Sequence, residues 1–247
     1  MADKKESGLR VAANIVLMVV LTLIATVGAQ LAVAYLLLWI FGADFVTGTV
    51  GTLVFSALSY ILTVVLVVIA PTWIRKAKTS REELGLKGWP TWTDIGLSIV
   101  GFIVYLAVAW VLTSLFSLFP WFDSAQEQEI GFSKTIFGLD RIIAFVALVV
   151  LAPIAEEVVF RGWLYGKVRR ETSKKLGSVA SIVLSAVIVS ALFGLVHGQW
   201  NVGVNVFAMS LVMCGMREIT GTVYAGILLH MIKNGVAFYL LFVLGIV

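Results

Sequence analysis

Residues 142–162 read IIAFVALVVLAPIAEEVVFRG. From Ile142 to Phe160 the only departures from apolar side chains are Pro153 and two adjacent glutamates, Glu156 and Glu157, with Arg161 following directly. A run of about 20 apolar residues is what a helix needs to cross the hydrocarbon core of a bilayer. The stretch therefore reads as a membrane helix that carries three ionisable groups. On insertion scales each such group costs about 2.5–3.5 kcal/mol at the bilayer centre. Three of them so close together imply partners and a function.

The rest of the chain agrees with a membrane setting. Its 247 residues are 60% hydrophobic and 13% charged, with a mean hydropathy of +1.03, whereas soluble domains are about 25% charged. The expectation is an all-α, polytopic transmembrane bundle. Seven apolar stretches suggest themselves, at about 11–40, 46–73, 94–118, 141–165, 179–199, 202–216 and 221–246, and six to eight crossings bracket the reading. The sixth is short and contains Asn201 and Asn205, so it is expected to be tilted, partial or facing a polar cavity. Lys4, Lys5 and Arg10 ahead of an apolar run, with Val27-Gly28-Ala29 behind, resemble a signal peptide. Hydrophobicity continues to Ile40, which fits an uncleaved first membrane helix.

Charge between the stretches alternates. Arg75, Lys76, Lys78, Arg81 and Lys87 make one connection basic, and Asp123, Glu127 and Glu129 make the next acidic. Lys167, Arg169, Arg170, Lys174 and Lys175 are basic again, and Arg217 follows the sixth stretch. The positive-inside rule then places the N-terminus in the cytoplasm and the C-terminus outside, in what is expected to be a bacterial plasma membrane. The net charge of +4 is spread over these connections rather than gathered on a soluble face, which argues against nucleic acid as a partner. Cys214 is the single cysteine, so no intrachain disulfide forms, and its apolar neighbours suit a small core residue. With no low-complexity linker and no convincing repeat, residues 1–247 read as one integral membrane domain.

The chain has two histidines, His197 and His230, and both fall in apolar segments. Phe193 stands four before His197, and Asn234 stands four after His230. On a helix Glu157 points toward Arg161 while Glu156 projects about 100° away. Glu ahead of Arg at this spacing is the favourable order for an ion pair. Glu157 is thus expected to hold Arg161, leaving Glu156 unpaired along its own helix and free to exchange a proton as a general base or acid. His230 and Asn234 share a face, and imidazole and carboxamide both donate the hydrogen bonds that a developing oxyanion needs. Glu156 with His197 would then activate a water for attack on a peptide carbonyl. An alternative use of Glu156, His197 and His230 is as the three ligands of a divalent metal such as zinc with an open position.

Depth gives a crude check at 1.5 Å per helical residue. Glu156 lies about 21 Å from Arg170, His197 about 28 Å from Ser178, and His230 about 12 Å from Thr222. For these to meet, the fourth helix must extend beyond the membrane into the cytoplasm. Lys233, beside Asn234, is the discordant residue. It is expected either to pair with a glutamate or to snorkel toward an interface.

Glu156-Glu157-x-x-x-Arg161, Phe193-x-x-x-His197 and His230-x-x-x-Asn234 resemble, in order, the three motifs of the CPBP intramembrane proteases, the CAAX-protease and bacteriocin-processing group also called Abi. The resemblance covers about residues 80–240, with Glu83-Leu84-Gly85-Leu86 similar to a segment that often precedes the family's core. It implies proteolysis within the membrane, with Glu156 and His197 activating water, His230 and Asn234 forming the oxyanion site, and Glu157 and Arg161 supporting. Family members are commonly labelled metalloproteases, while the prenyl-protein branch resembles a metal-independent glutamate hydrolase. The implied substrate is a peptide or protein in or near the bilayer.

Other chemistries fit less well. The chain has no His-Glu-x-x-His metal helix and no Gly-x-Ser-x-Gly nucleophile. A transporter would use Glu157 and Arg161 in a polar pathway, yet no repeated half with interrupted helices is visible. In a non-enzymatic immunity or scaffold protein the site residues would be dispensable.

Overall fold

The computed structural model describes residues 7–71, 79–128, 132–133 and 135–246. Lys4, Lys5, Arg75, Lys76, Lys78 and Glu129, used above for orientation, lie outside the described residues. The described residues form helices and connections without a strand. Helix α1 spans Gly8–Phe41, and α2 is the short Ala43–Thr47. Thr49–Ile69 is α3, Trp92–Phe116 is α4 and Leu139–Ser173 is α5. Ser178–Leu195 is α6, Trp200–Thr220 is α7 and Tyr224–Val243 is α8. All except α2 are long and apolar enough to cross a membrane, so the protein is an integral membrane protein.

Local chemistry explains several helix ends. Ser7 caps α1 by accepting from the Arg10 N–H at 3.2 Å. Thr91 and Asp94 form a capping box on α4, the Thr91 N–H donating to Asp94 Oδ2 at 2.8 Å and the Asp94 N–H to Thr91 Oγ1 at 3.3 Å. Gly221 ends α7 at φ 70°, the left-handed conformation that glycine adopts without a Cβ penalty.

Two expectations from the sequence change. The second apolar stretch, expected from 46, breaks at Gly48 into α2 and α3, and the two pieces fold against each other. A Cβ on Gly51 would lie 1.8 Å from the Phe45 carbonyl oxygen, so that contact requires glycine. The sixth stretch is a full 21-residue helix rather than a partial one. It is the least lipophilic of the crossing helices because it is the central one. It packs along α6 and α4 and also meets α8. Asn201 and Asn205 line a cavity whose wall is part polar and part apolar.

Around α7, α8 packs on α4 and α5, while α1 and α3 close the other side of α5. Asn14 in α1 donates to Glu171 near the end of α5 at 3.1 Å. Helix α5 is 35 residues long, about 52 Å, against a hydrocarbon core of about 30 Å. One of its ends therefore projects from the bilayer.

A strap before α4 sets the depth of α8. Gly85, at φ 70°, accepts from the Val223 N–H at 3.0 Å, just ahead of α8. Arg217 donates to the carbonyls of Glu83 and Gly221. The strap also presses on α5 at Gly162, where an added Cβ would stand 2.8 Å from the Leu84 carbonyl oxygen. The start of α8 is thus level with Gly162, eleven residues or about 16 Å inward from the end of α5.

Candidate active site

Pro153 and the glutamates sit in a special part of α5. The six-residue α-helical piece Ala152–Glu157 lies between two π-helical stretches, Val146–Leu151 and Val158–Leu164. Proline has no N–H to donate and its ring crowds the preceding turn. The widened turn before it relieves that crowding, with the Ala152 N–H reaching back to the Ala147 carbonyl. Such π turns recur at functional sites.

Glu157 and Arg161 form the expected brace. Arg161 Nη1 donates to Glu157 Oε1 at 2.8 Å, and the two side chains are 1% and 0% exposed. His230 Nδ1 reaches the same carboxylate oxygen at 3.1 Å. Glu157 Oε2, Arg161 Nε and Arg161 Nη2 are buried without hydrogen-bond partners among the described residues. Packing compensates in part, since the guanidinium carbon of Arg161 lies 4.2 Å from the Phe193 ring centroid. Phe193 also meets the His197 ring at 4.8 Å, the Phe160 ring at 4.9 Å and the His230 ring at 6.0 Å, all edge to face. The first residue of the second motif is thus the hub on which the arginine and both histidines are set. Gly226 makes room on the α8 side, because a Cβ there would stand 3.2 Å from Glu157 Oε2.

Glu156 turns the other way. Its Oε1 accepts from the Tyr60 hydroxyl of α3 at 3.0 Å, and its Oε2 lies 3.9 Å from His230 Nε2. His197 follows the end of α6, and its Nδ1 is 2.7 Å from the Phe193 carbonyl oxygen. A carbonyl only accepts, so Nδ1 carries the proton. In the neutral ring Nε2 then presents a lone pair. Glu156 and His197 line one cavity of about 220 Å³ together with Tyr60, Thr63, Thr26 and Gln30.

His230 and Asn234 share a face, and that face meets α5. Asn234 Nδ2 donates to the Leu148 carbonyl at 2.8 Å, inside the first π stretch, where it takes up one backbone acceptor. Neither residue lines the cavity of Glu156 and His197. Lys233 forms no ion pair with either glutamate within 4.0 Å and faces a second cavity. Among the described residues no three His, Cys, Asp or Glu side chains gather as a metal-ligand set. Glu156, His197 and His230 are not gathered as one such set.

Tyr60 is the site residue that the motif reading missed. Its signal was nonetheless in the sequence. Ser56, Ser59, Tyr60 and Thr63 recur at three- and four-residue spacing in an apolar run, as do Thr22, Thr26 and Gln30 in α1. A polar stripe along a membrane helix marks the side that faces protein or water rather than lipid.

Residues 138–236, which hold α5 through most of α8 and all three motifs, match the profile of the family described as Rce1-like, type II CAAX prenyl endopeptidase Rce1-like. A Bacillus subtilis (strain 168) protein described as "Uncharacterized protein YpbD" is 27% identical over 145 residues, covering 59% of this chain and 70% of that protein. No solved structure gives a significant match. The part of the chain that carries the three motifs is thus similar to the CAAX-protease family.

Proposed function

We propose that the protein is an intramembrane endopeptidase in which Glu156 and His197 activate a water without a metal, acting on a peptide embedded in or associated with the bilayer. The observation that carries this reading is the shared cavity. A carboxylate and a histidine with an available Nε2 face one small cavity of mixed polar and apolar lining inside a membrane bundle. Glu156 takes the proton of the water, while His197 Nε2 accepts from its second O–H and fixes the direction of attack. Tyr60 holds Glu156 Oε1, so Oε2 is the oxygen that exchanges the proton.

The tetrahedral intermediate needs a donor for its oxyanion. His230 Nδ1 is engaged by Glu157, which leaves Nε2 as the ring nitrogen turned toward Glu156 and as the first donor in this reading. Asn234 keeps one amide N–H after its bond to Leu148 and is the second donor in this reading. Arg161 and Phe193 hold Glu157 and both imidazoles in register. The leaving amine takes its proton from Glu156, which restores the carboxylate. Proton transfer by a positioned side chain contributes about 10²- to 10⁴-fold.

The test is cleavage of a model transmembrane peptide by purified full-length protein in nanodiscs. Glu156→Gln and His197→Ala should each lower kcat/KM by about 10²-fold or more while remaining folded. Cleavage at the parent rate by both variants would overturn the assignment. Activity should survive exhaustive chelation. Loss on chelation with recovery on added zinc would overturn the metal-free version.

A further inference from the structure

A second cavity, of about 400 Å³, lies between α4, α7, α8 and the connection after α4. Its wall includes Lys233, Gln126, Gln128, Asn201, Asn205 and Tyr105. Several of these polar groups are already engaged. Tyr105 donates its hydroxyl to Asn205 Oδ1 at 2.5 Å, and Asn201 Nδ2 donates to the Gln126 carbonyl at 2.6 Å. These bonds tie the connection to α7 and shape the cavity. They leave the Asn205 amide N–H groups and the Gln126 and Gln128 side-chain amides without a hydrogen bond to described residues.

Lys233 is the cation of this cavity. No described carboxylate comes within 4.0 Å of its ammonium group, although Glu156 and His197 both lie within electrostatic reach. An ammonium group in the membrane-spanning part of a bundle costs about 2.5–3.5 kcal/mol on insertion scales unless it is matched. Here no neighbouring helix closes an ion pair on it, and Glu156 of α5 acts on it only from beyond 4.0 Å. Lys233 is also three residues beyond His230, so the cation stands about one helical turn from the group assigned to the oxyanion.

We propose that Lys233, with the free amides of Asn205, Gln126 and Gln128, binds a carboxylate of the peptide substrate and so fixes which bond reaches Glu156. The inference rests on the peptidase reading for its catalytic consequence. The anion site itself rests only on the cavity. Lysine acts as a point charge and amides as flexible donors, a set suited to a single carboxylate. That carboxylate is either the peptide's C-terminus or an acidic side chain, and peptide design separates the two.

The experiment uses full-length protein in nanodiscs and one labelled apolar peptide in matched forms: free C-terminal acid against C-terminal amide, and one internal Glu against Gln. Binding is measured by fluorescence anisotropy on the Glu156→Gln form, and cleavage on the parent. The carboxylate form should bind at least about 10-fold more tightly and be cleaved with a correspondingly lower KM, a preference equal to one charge-assisted contact. Lys233→Met should bring the ratio to about one, and Lys233→Arg should retain it. Preference for the acid over the amide assigns the C-terminus, and preference for Glu over Gln assigns a side chain. Equal binding of all four forms, or a preference that survives Lys233→Met, overturns the proposal. Lys233-dependent binding without any cleavage by the parent would instead leave the anion site standing and remove the peptidase reading.

Discussion

The buried Glu157–Arg161 pair gives a sharp stability test because each partner lies in a place where neither charge is tolerated alone. The pair is 2.8 Å apart with both side chains essentially unexposed. Removing one member of such a pair costs about 3–5 kcal/mol, mostly because the other charge is left buried without compensation. Arg161→Met strands the Glu157 carboxylate with only His230 beside it, and also removes the contact with Phe193. Glu157→Gln strands the guanidinium, two of whose nitrogens already lack partners among the described residues. At about 2–4 °C per kcal/mol for a chain of this size, each single variant should lower the unfolding midpoint by roughly 6–20 °C. The double variant should be clearly more stable than the sum of the two losses, with a coupling of about 2 kcal/mol or more. Cys214 supplies the assay, since it is the single cysteine and is buried beside Arg161 and Glu157. A thiol-reactive dye added during heating therefore reports opening of this region of the core. Single-variant losses below about 1 kcal/mol, the size expected of exposed ion pairs, would refute the brace, as would strict additivity in the double variant.

Two further outcomes follow from other contacts. Tyr60→Phe removes the hydroxyl that donates to Glu156 Oε1, a bond to a charged group worth about 1.5–3 kcal/mol; kcat/KM should fall about 10- to 100-fold and the dye-labelling midpoint by about 3–12 °C, and parent-like cleavage would show that the tyrosine does not hold the carboxylate. Gly162→Ala drives a Cβ toward the Leu84 carbonyl at 2.8 Å; it should cost about 1–3 kcal/mol and speed tryptic cleavage at Arg81 and Lys87, whereas unchanged midpoint and cleavage rate would mean that the strap is not seated on α5.

What was legible in the sequence depended on the range of each interaction. Contacts one turn apart could be read directly. Glu157 faces Arg161, the Phe193 backbone meets His197, and His230 and Asn234 share a face, because a helix fixes those neighbours whatever surrounds it. Hydropathy found the crossing helices for a related reason: a lipid-facing helix must be apolar along its length. The same argument explains the misreading of α7. That helix has the lowest hydropathy of the seven, and it is the one most enclosed by its neighbours. Its protein-facing positions tolerate Asn201 and Asn205, so a scale that reports lipid contact shortens it.

Contacts between distant helices were not legible from spacing, and depth shows why. Counted from the ends of their own helices, Glu156 and His230 stood at about 21 and 12 Å, a mismatch that an extended α5 alone was expected to absorb. The structure resolves it with a second element. The strap at Leu84 and Gly85 fills the space beside the projecting part of α5 and starts α8 at the level of Gly162. From that level Glu157 is five residues back along α5, about 7.5 Å, and His230 is seven residues on from Val223, about 10 Å. The two offsets nearly agree, and the 3.1 Å contact between Glu157 and His230 follows from them. The glycine after Arg161 in the first motif, the Glu-Leu-Gly-Leu segment and the third motif are therefore parts of one geometric device. A bulky residue at 162 would act on the histidine 68 positions away by lifting the floor on which α8 stands.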